Sequence, residues 1–152
     1  SRAEPHTREK PTMAKEELLK EKYLQFQMIQ KQIEQITHHV EALNQKNAEL
    51  ELSIEAIKEL GKTETNTEIL SPIANGIFLK AELKDAKTLI VNIGADTAVE
   101  KTIPEVIELL EQQQKEISEN ITEAENVFTL LQEQAMIIYK EVEEEQENVR
   151  QA

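Results

Sequence analysis

Three groups of side chains in this sequence have types and spacings that could do chemistry. His38 and His39 are adjacent, and neutral imidazole is a common zinc ligand. Residues 141–147 are mostly glutamate, and carboxylates are the ligands that calcium prefers. Asn120 and Thr122 complete an Asn-X-Thr tripeptide, which accepts glycans in secreted proteins. Each group has to be weighed against the element that carries it.

None of the three groups has the surroundings that its chemistry needs. Adjacent histidines on a helix point in different directions, and no third ligand lies beside them in the sequence. The glutamate run lacks the fixed turn of a calcium loop, and the glycan acceptor falls inside a helical pattern. We therefore expect no metal and no cofactor. Because phosphate-binding loops and nucleophile elbows are also missing, we predict that the protein is not an enzyme.

The composition favours long helices over a thick core. Aromatic residues make up 3% of the chain, tryptophan is absent and charged residues reach 31%. The net charge of −13 disfavours binding to nucleic acid and to anionic membranes. No apolar run approaches the roughly 18 residues of a membrane span, and the lack of cysteine suits a reducing cytoplasm.

The first 61 residues divide into a tail and a long helix. Residues 1–12 contain two prolines and no apolar period, so we expect a disordered tail, natural or artificial. From 13 to 61, apolar residues recur at alternating steps of three and four, as in a coiled coil. Lys22 and Asn47 interrupt this seam, and Gly61 is predicted to end the helix in a left-handed conformation. The seam positions are Leu19, Lys22, Phe26, Ile29, Ile33, Ile36, Val40, Leu43, Asn47, Leu50, Ile54 and Ile57.

A second helix is predicted over residues 102–152. Thr102 is placed to cap it, and Glu105 is placed to reach back to the cap. Because its seam has the same period as the first, we predict an antiparallel coiled coil with Ile57 near Ile107. Asn47 would lie within about a turn of Gln114, either fixing the register or as a tolerated polar residue. The seam positions are Ile107, Leu110, Gln114, Ile117, Ile121, Ala124, Phe128, Leu131, Ala135, Ile138, Val142, Glu145 and Val149.

Residues 62–101 have the pattern of two β-hairpins, which makes the fold class α+β. Asn75 and Gly76 form a strong turn signal before the alternating strand at 77–84, and a second pair of strands flanks a turn at 94–96. Four short strands cannot bury a core alone, so we expect hairpins of several subunits to assemble into an intersubunit β-barrel. The residues expected to mediate assembly, called the hairpin surface below, are Ile69, Leu70, Ile77, Phe78, Leu79, Leu83, Leu89, Ile90, Val91, Ile93 and Val99.

This organisation closely resembles the α-class subunit of the prefoldin family, archaeal type. The resemblance covers about residues 15–150, and its specific part is the two segments EILSPIANGIFLKAELKD and LIVNIGADTAVEKT. Pro72 fits the family pattern, whereas Ser71 stands where an aliphatic residue is common. The resemblance implies a hexamer of two α-class and four β-class subunits in the cytoplasm. Such a hexamer binds unfolded polypeptides without ATP and delivers them to a group II chaperonin.

A chaperone of this kind needs apolar surface that its own fold does not bury. Methionine adapts to partners of varied shape, and Lys22 and Glu145 loosen the seam at one end. We therefore expect clients to bind there, unless these side chains cover one another or a neighbouring subunit. The residues, called the helix-end surface below, are Leu18, Leu19, Tyr23, Leu24, Met28, Met136, Ile137, Tyr139 and Val142.

Two other functions stay open at this point. A structural coiled-coil protein could build filaments or homo-oligomers through its β edges, without protecting clients. A dedicated adaptor would instead bind one folded partner and ignore denatured proteins.

Overall fold

The computed structural model describes residues 4–151, with side chains from residue 13 onward. Two long helices pack together, with two hairpins between them in the chain. In chain order, the elements are α1 (Glu4–Gly61), β1 (Glu68–Ala74), β2 (Ile77–Glu82), β3 (Thr88–Gly94), β4 (Thr97–Thr102) and α2 (Ile103–Gln151). The predicted helices and hairpins are confirmed, and the intersubunit barrel stays a prediction because it requires other chains.

The chain forms two compact units. The first joins Ser1–Ala42 to Asn120–Ala152 and so contains the start of α1 and the end of α2. The second, Leu43–Glu119, contains the end of α1, both hairpins and the start of α2. α1 includes residues 4–12 of the predicted tail, while residues 1–3 lie outside the described part.

The predicted seams are confirmed at every position. From Leu19 to Ile57 and from Ile107 to Val149, each seam side chain is buried or half-buried. Alternating steps of three and four keep these side chains on one face, so paired helices can shield them. Cross-helix contacts in each unit fit the predicted antiparallel register. Lys22 pairs with Glu141 in the first unit, and Gln114 donates a hydrogen bond of 2.7 Å to Glu51 in the second.

Each hairpin is a separate two-stranded antiparallel sheet. β1 pairs with β2 from Glu68↔Glu82 to Ala74↔Ile77, and β3 pairs with β4 from Thr88↔Thr102 to Gly94↔Thr97. An isolated two-stranded sheet is marginally stable in water, because it has little apolar surface of its own to bury. The hairpins therefore depend on contacts beyond their own strands.

The two turns use different residues for the left-handed backbone. In the first hairpin, Gly76 has a φ of 77° and Asn75 has an ordinary negative φ. In the second, Ala95 and Asp96 have φ values of 50° and 58°. A left-handed alanine costs about 1–2 kcal/mol relative to its usual conformation, because its Cβ crowds the following carbonyl oxygen. The second turn is therefore a strained position in the fold.

Gly61 does not adopt the left-handed conformation that was predicted for it. It is the last residue of α1, and the glycines with positive φ are Gly76 and Gly94. The helix instead ends in two hydrogen bonds that each span three residues, from Lys62 N to Glu59 O and from Thr63 N to Leu60 O. These bonds satisfy terminal carbonyl groups that a left-handed cap would otherwise serve.

The cap of α2 is confirmed, with a difference in its hydrogen bonds. Thr102 Oγ1 accepts a bond of 3.3 Å from Glu105 N and donates one of 2.9 Å to Glu105 Oε1. In a capping box, the glutamate would accept from the backbone N–H of the cap residue. The N–H of the next residue, Ile103, donates to Lys87 O at 3.2 Å, which ties the loop between β2 and β3 to the start of α2.

Candidate functional site

The helix-end surface lies within the first compact unit, and most of it is open to solvent. The exposed fraction is 61% for Leu24, 63% for Met28 and 57% for Ile137. These large apolar side chains therefore do not bury one another within the chain. The other exposed members are Leu18, Tyr23, Met136 and Tyr139.

Leu19 and Val142 differ from the rest of the helix-end surface because they belong to the seam. Leu19 is half-buried, and Val142 is 7% exposed. A polypeptide could contact both side chains fully only after the two helices separate at this end. Their predicted role in binding therefore depends on opening of the seam.

Two polar contacts join α1 and α2 beside this part of the seam. Lys22 Nζ donates a hydrogen bond to Glu141 Oε2, and Gln146 Nε2 donates one of 2.7 Å to the hydroxyl of Tyr23. Such bonds hold side chains of α1 and α2 together while leaving much of the tyrosine ring accessible. The polar residue that was predicted to loosen the seam, Lys22, is thus paired across it.

An apolar cleft lies beside these contacts, and sequence analysis did not identify it. The rings of Phe26 and Tyr139 lie 6.3 Å apart, tilted by 44°. Next to them, a cleft of about 530 Å³ is lined by Ile33, Ala135 and Met136. The small side chain of Ala135 at a seam position leaves space that a leucine would fill. An alanine among large seam residues is the sequence signal that could have located this cleft.

Two carboxylates affect the electrostatics of the same region. A hydrogen bond to Glu143, together with its negative charge, raises the pKa of Tyr139 above its ordinary value. Oε2 of Glu145 is buried at the seam and has no hydrogen-bond partner in the described part of the chain. A buried carboxylate oxygen without a donor is costly, so Glu145 weakens this end of the seam.

The hairpin surface lies in the second compact unit and divides by exposure. Leu83 is buried, and Ile69, Leu89, Val91 and Val99 are half-buried. The exposed members are Leu70, Ile77, Phe78, Leu79, Ile90 and Ile93. So many exposed large apolar side chains on two small sheets are typical of a protein–protein interface.

The adjacent histidines, the first of the remaining candidates, lie on an exposed face of α1. Nδ1 of His38 lies 3.6 Å from Oε2 of Glu41, and both residues are exposed. Among the side chains that the structure describes, residues 13–151, no three from histidine, aspartate or glutamate are grouped as metal ligands would be. Neither long helix has, in its described residues, an apolar stretch sufficient to cross a membrane.

A family model and individual relatives identify the same protein family. A model of the prefoldin subunit family matches residues 29–148. The chain is 33% identical to prefoldin subunit alpha of Pyrococcus horikoshii over 124 residues, which are 81% of this chain and 84% of that protein. It is 38% identical to prefoldin subunit alpha 1 of Thermococcus kodakarensis over 98 residues, 64% of this chain and 67% of that one.

A solved structure supports the fold. The filamentous PFD of Methanocaldococcus jannaschii aligns with a TM-score of 0.69, covering 76% of this chain and 95% of that chain. Its sequence identity is 17%, so this likeness concerns architecture alone.

Proposed function

The chain belongs to the prefoldin family of non-enzymatic chaperones, as an alpha subunit, and we propose that it holds unfolded polypeptides without ATP. The helix-end surface would bind the client, and the hexamer would deliver it to a group II chaperonin in the cytoplasm. The observation that carries this proposal is the exposure of Leu24, Met28 and Ile137 in a chain that shields its seam throughout.

The chemistry of the helix-end surface suits clients without fixed shape. Methionine and leucine side chains provide apolar contact without a demanding hydrogen-bond geometry, and methionine adapts its conformation to its neighbour. The cleft beside Phe26 and Tyr139 offers a place for one client side chain at a time. Such contacts are weak singly, and several subunits acting on one chain would raise the effective affinity.

The proposed assembly contains two copies of this chain and four β-class subunits. The exposed members of the hairpin surface, such as Phe78 and Ile90, would be buried between subunits. Backbone groups along the strand edges would pair at the same time, which removes the liability of open edges. Six helix pairs would then be available to one client.

The experiment compares a helix-end variant with a matched control. In the variant, Leu24, Met28 and Ile137 are changed to Ser. In the control, Leu52, Leu109 and Val127, also exposed and apolar, are changed to Ser. Each protein is assembled with a β-class subunit, and the mass of the complex is measured by light scattering after gel filtration. The complex is then tested, without ATP, for suppression of the aggregation of a denatured protein.

We expect the helix-end variant to keep hexamer mass and to lose protection. A buried apolar side chain is worth about 1.5–3 kcal/mol, so removing three should raise the concentration needed for protection about tenfold or more. The control should protect as the unmodified hexamer does. Equal protection by both variants would remove the helix-end surface from the proposal.

A second candidate function is self-assembly through the strand edges. It is favoured by the filamentous assembly named for the structure of Methanocaldococcus jannaschii. This function predicts large homo-oligomers without a β-class subunit and no effect on a denatured protein. The same light-scattering measurement separates the two functions.

A further inference from the structure

A groove in the second compact unit belongs to neither of the surfaces described above. It lies where the end of α1, the loop between β2 and β3, and the start of α2 meet. Its floor is apolar and includes Ala86, Ile103, Pro104 and Ile107. Its volume is about 610 Å³, within the range of roughly 300–1,000 Å³ that is usual for binding clefts.

Three lysines line this groove. Two of them come from the end of α1 and the residue after it, and the third comes from the loop between β2 and β3. Lys58 and Lys62 precede and follow Gly61, and Lys87 comes from the loop. A structural role explains part of this, because cations are favoured at the C-terminal end of a helix. That explanation does not extend to Lys87, which lies outside α1. In a chain with 30 acidic and 17 basic residues, a groove lined by three lysines runs against the overall charge.

Nearby carboxylates do not neutralise all of these lysines. Asp85 accepts hydrogen bonds from Lys87 N and from the hydroxyl of Thr88, both at 2.8 Å. Glu105 accepts from Thr102 at the cap of α2. Glu59 lies 3.8 Å from Lys62 Nζ, and both side chains are 76% exposed, so solvent makes this pair weak. Lys62 can therefore turn toward a ligand at little cost, whereas the charge of Lys87 already acts on the carboxylate of Asp85.

We propose that this groove docks an acidic peptide segment of another polypeptide. One apolar side chain of the segment would lie on the floor formed by Ile103 and Ile107. Carboxylates on either side would meet Lys58, Lys62 and Lys87. Opposite charges complement each other across the groove, and an apolar floor of this size suits a side chain better than a small hydrated anion. The net charge of −13 opposes nucleic acid at the same place.

The test uses the full chain and two fluorescent peptides. One peptide alternates glutamate and leucine, and the other alternates lysine and leucine. Binding is followed by fluorescence anisotropy at low and high salt. We expect the acidic peptide to bind, the basic peptide to bind at least about tenfold more weakly, and salt to weaken the acidic peptide by screening its carboxylates.

Two charge-reversal variants decide where the acidic peptide binds. In the groove variant, Lys58, Lys62 and Lys87 are changed to Glu. In the control, the exposed helix lysines Lys31, Lys46 and Lys115 are changed to Glu, which alters the net charge by the same amount. The groove variant should lose affinity about tenfold more than the control. Lys87→Glu alone, on a loop, gives a smaller loss in the same direction and leaves both helix ends unchanged.

Three outcomes of the peptide measurements overturn the proposal, and a fourth comes from the client assay. The three are equal losses in the two triple variants, equal binding of the acidic and basic peptides, and no binding of the acidic peptide. The groove is also expected to act independently of client protection. A groove variant that assembles and still suppresses aggregation, but has lost the peptide, assigns the groove to a separate partner. Loss of both activities together would place acidic peptides among the clients and end the claim of a separate site.

Discussion

The hydroxyl of Tyr23 on α1 accepts a hydrogen bond of 2.7 Å from Nε2 of Gln146 on α2. Tyr23 lies just beside the seam, where Lys22 pairs with Glu141. Two successive residues of α1 are thus bonded to α2 within a few residues of Glu145, whose Oε2 is buried. These bonds offset part of the weakness that Glu145 introduces at the end of the seam that contains Leu19 and Val142.

We predict that Tyr23→Phe destabilises the helix pair at this end. The loss of one hydrogen bond between side chains costs about 0.5–1.5 kcal/mol. Hydrogen exchange of the amides near the end of α2 should become faster. Tyr139→Phe is the control, because the main influence on the pKa of the Tyr139 hydroxyl is Glu143, which lies on the same helix. Equal acceleration in both variants would mean that the bond from Gln146 does not hold the helices together.

We predict that Asn47→Leu stabilises the protein. Oδ1 of Asn47 is buried at the seam and has no hydrogen-bond partner among the described residues. Removing a buried acceptor without a donor recovers about 1–3 kcal/mol, which chemical denaturation can measure. Asn44→Leu, at an exposed position one turn earlier, should change the stability by no more than about 0.5 kcal/mol.

The same variant decides between two roles of Asn47. If the asparagine fixes the register, the more stable Asn47→Leu protein should form slipped or mixed oligomers on gel filtration. If it is a tolerated polar residue, the oligomer should stay the same. Gln114 does not donate to Asn47, because Oδ1 of Asn47 has no hydrogen-bond partner among the described residues, and the amide of Gln114 donates to Glu51.

We predict that Ala95→Gly stabilises the second hairpin. Glycine adopts a φ near 50° without the crowding that alanine has there, and the gain is up to about 1 kcal/mol after its larger unfolded-state entropy is counted. Hydrogen exchange of amides in β3 and β4 should slow. Ala98→Gly, at an exposed position within β4, should have the opposite effect of roughly 0.5–1 kcal/mol, because its backbone is already extended.

We predict that acid loosens the turn between β2 and β3. The hydrogen bond from Lys87 N, followed by the one from the Thr88 hydroxyl, lowers the pKa of Asp85 below its ordinary value of 3.8. Since the folded-state pKa is depressed, the stabilisation is present above pH 3.8 and is lost as the pH falls through the folded pKa. Protection of the Lys87 amide from hydrogen exchange, followed by NMR, should decrease as the pH falls from 3.8 through the folded-state pKa.

Two variants separate the charge of Asp85 from its hydrogen bond. Asp85→Asn keeps an acceptor oxygen, so it should retain protection of the Lys87 amide without the dependence on pH. Asp85→Ala should lose protection at every pH. A pH dependence that survives in Asp85→Asn would point to another titrating group.

The elements most predictable from sequence were those with a repeated signal. The seam from Leu19 to Ile57 was predictable at each position because every step of three or four repeats the same constraint. The hairpins were predictable because turn residues and alternating strands agree with each other. By contrast, Ala95 carries no sequence signal for a left-handed turn, since the strain there is imposed by the pairing of Gly94 with Thr97.

The heptad period does not predict individual contacts between the two helices. The period places Tyr23 beside the seam, but it does not say that Gln146 lies within hydrogen-bond distance. Gly61 shows the same limit in another form. Its sequence context resembles a left-handed cap, yet a Cβ at this position would lie 3.4 Å from Cγ2 of Ile103. The side chain of Ile103, at the start of α2, therefore lies within van der Waals distance of this position, which local sequence does not report.

The placement of the aromatic hydroxyls makes one end of the helix pair an optical reporter. The chain has two tyrosines and no tryptophan, and both tyrosines lie in the first compact unit. Tyr139 lines the apolar cleft, and it lines a second, smaller cleft together with Tyr23. All tyrosine emission therefore originates at the helix-end surface. A bound polypeptide that contains tryptophan would quench this emission by energy transfer, and its arrival and departure could be timed by stopped flow without any label.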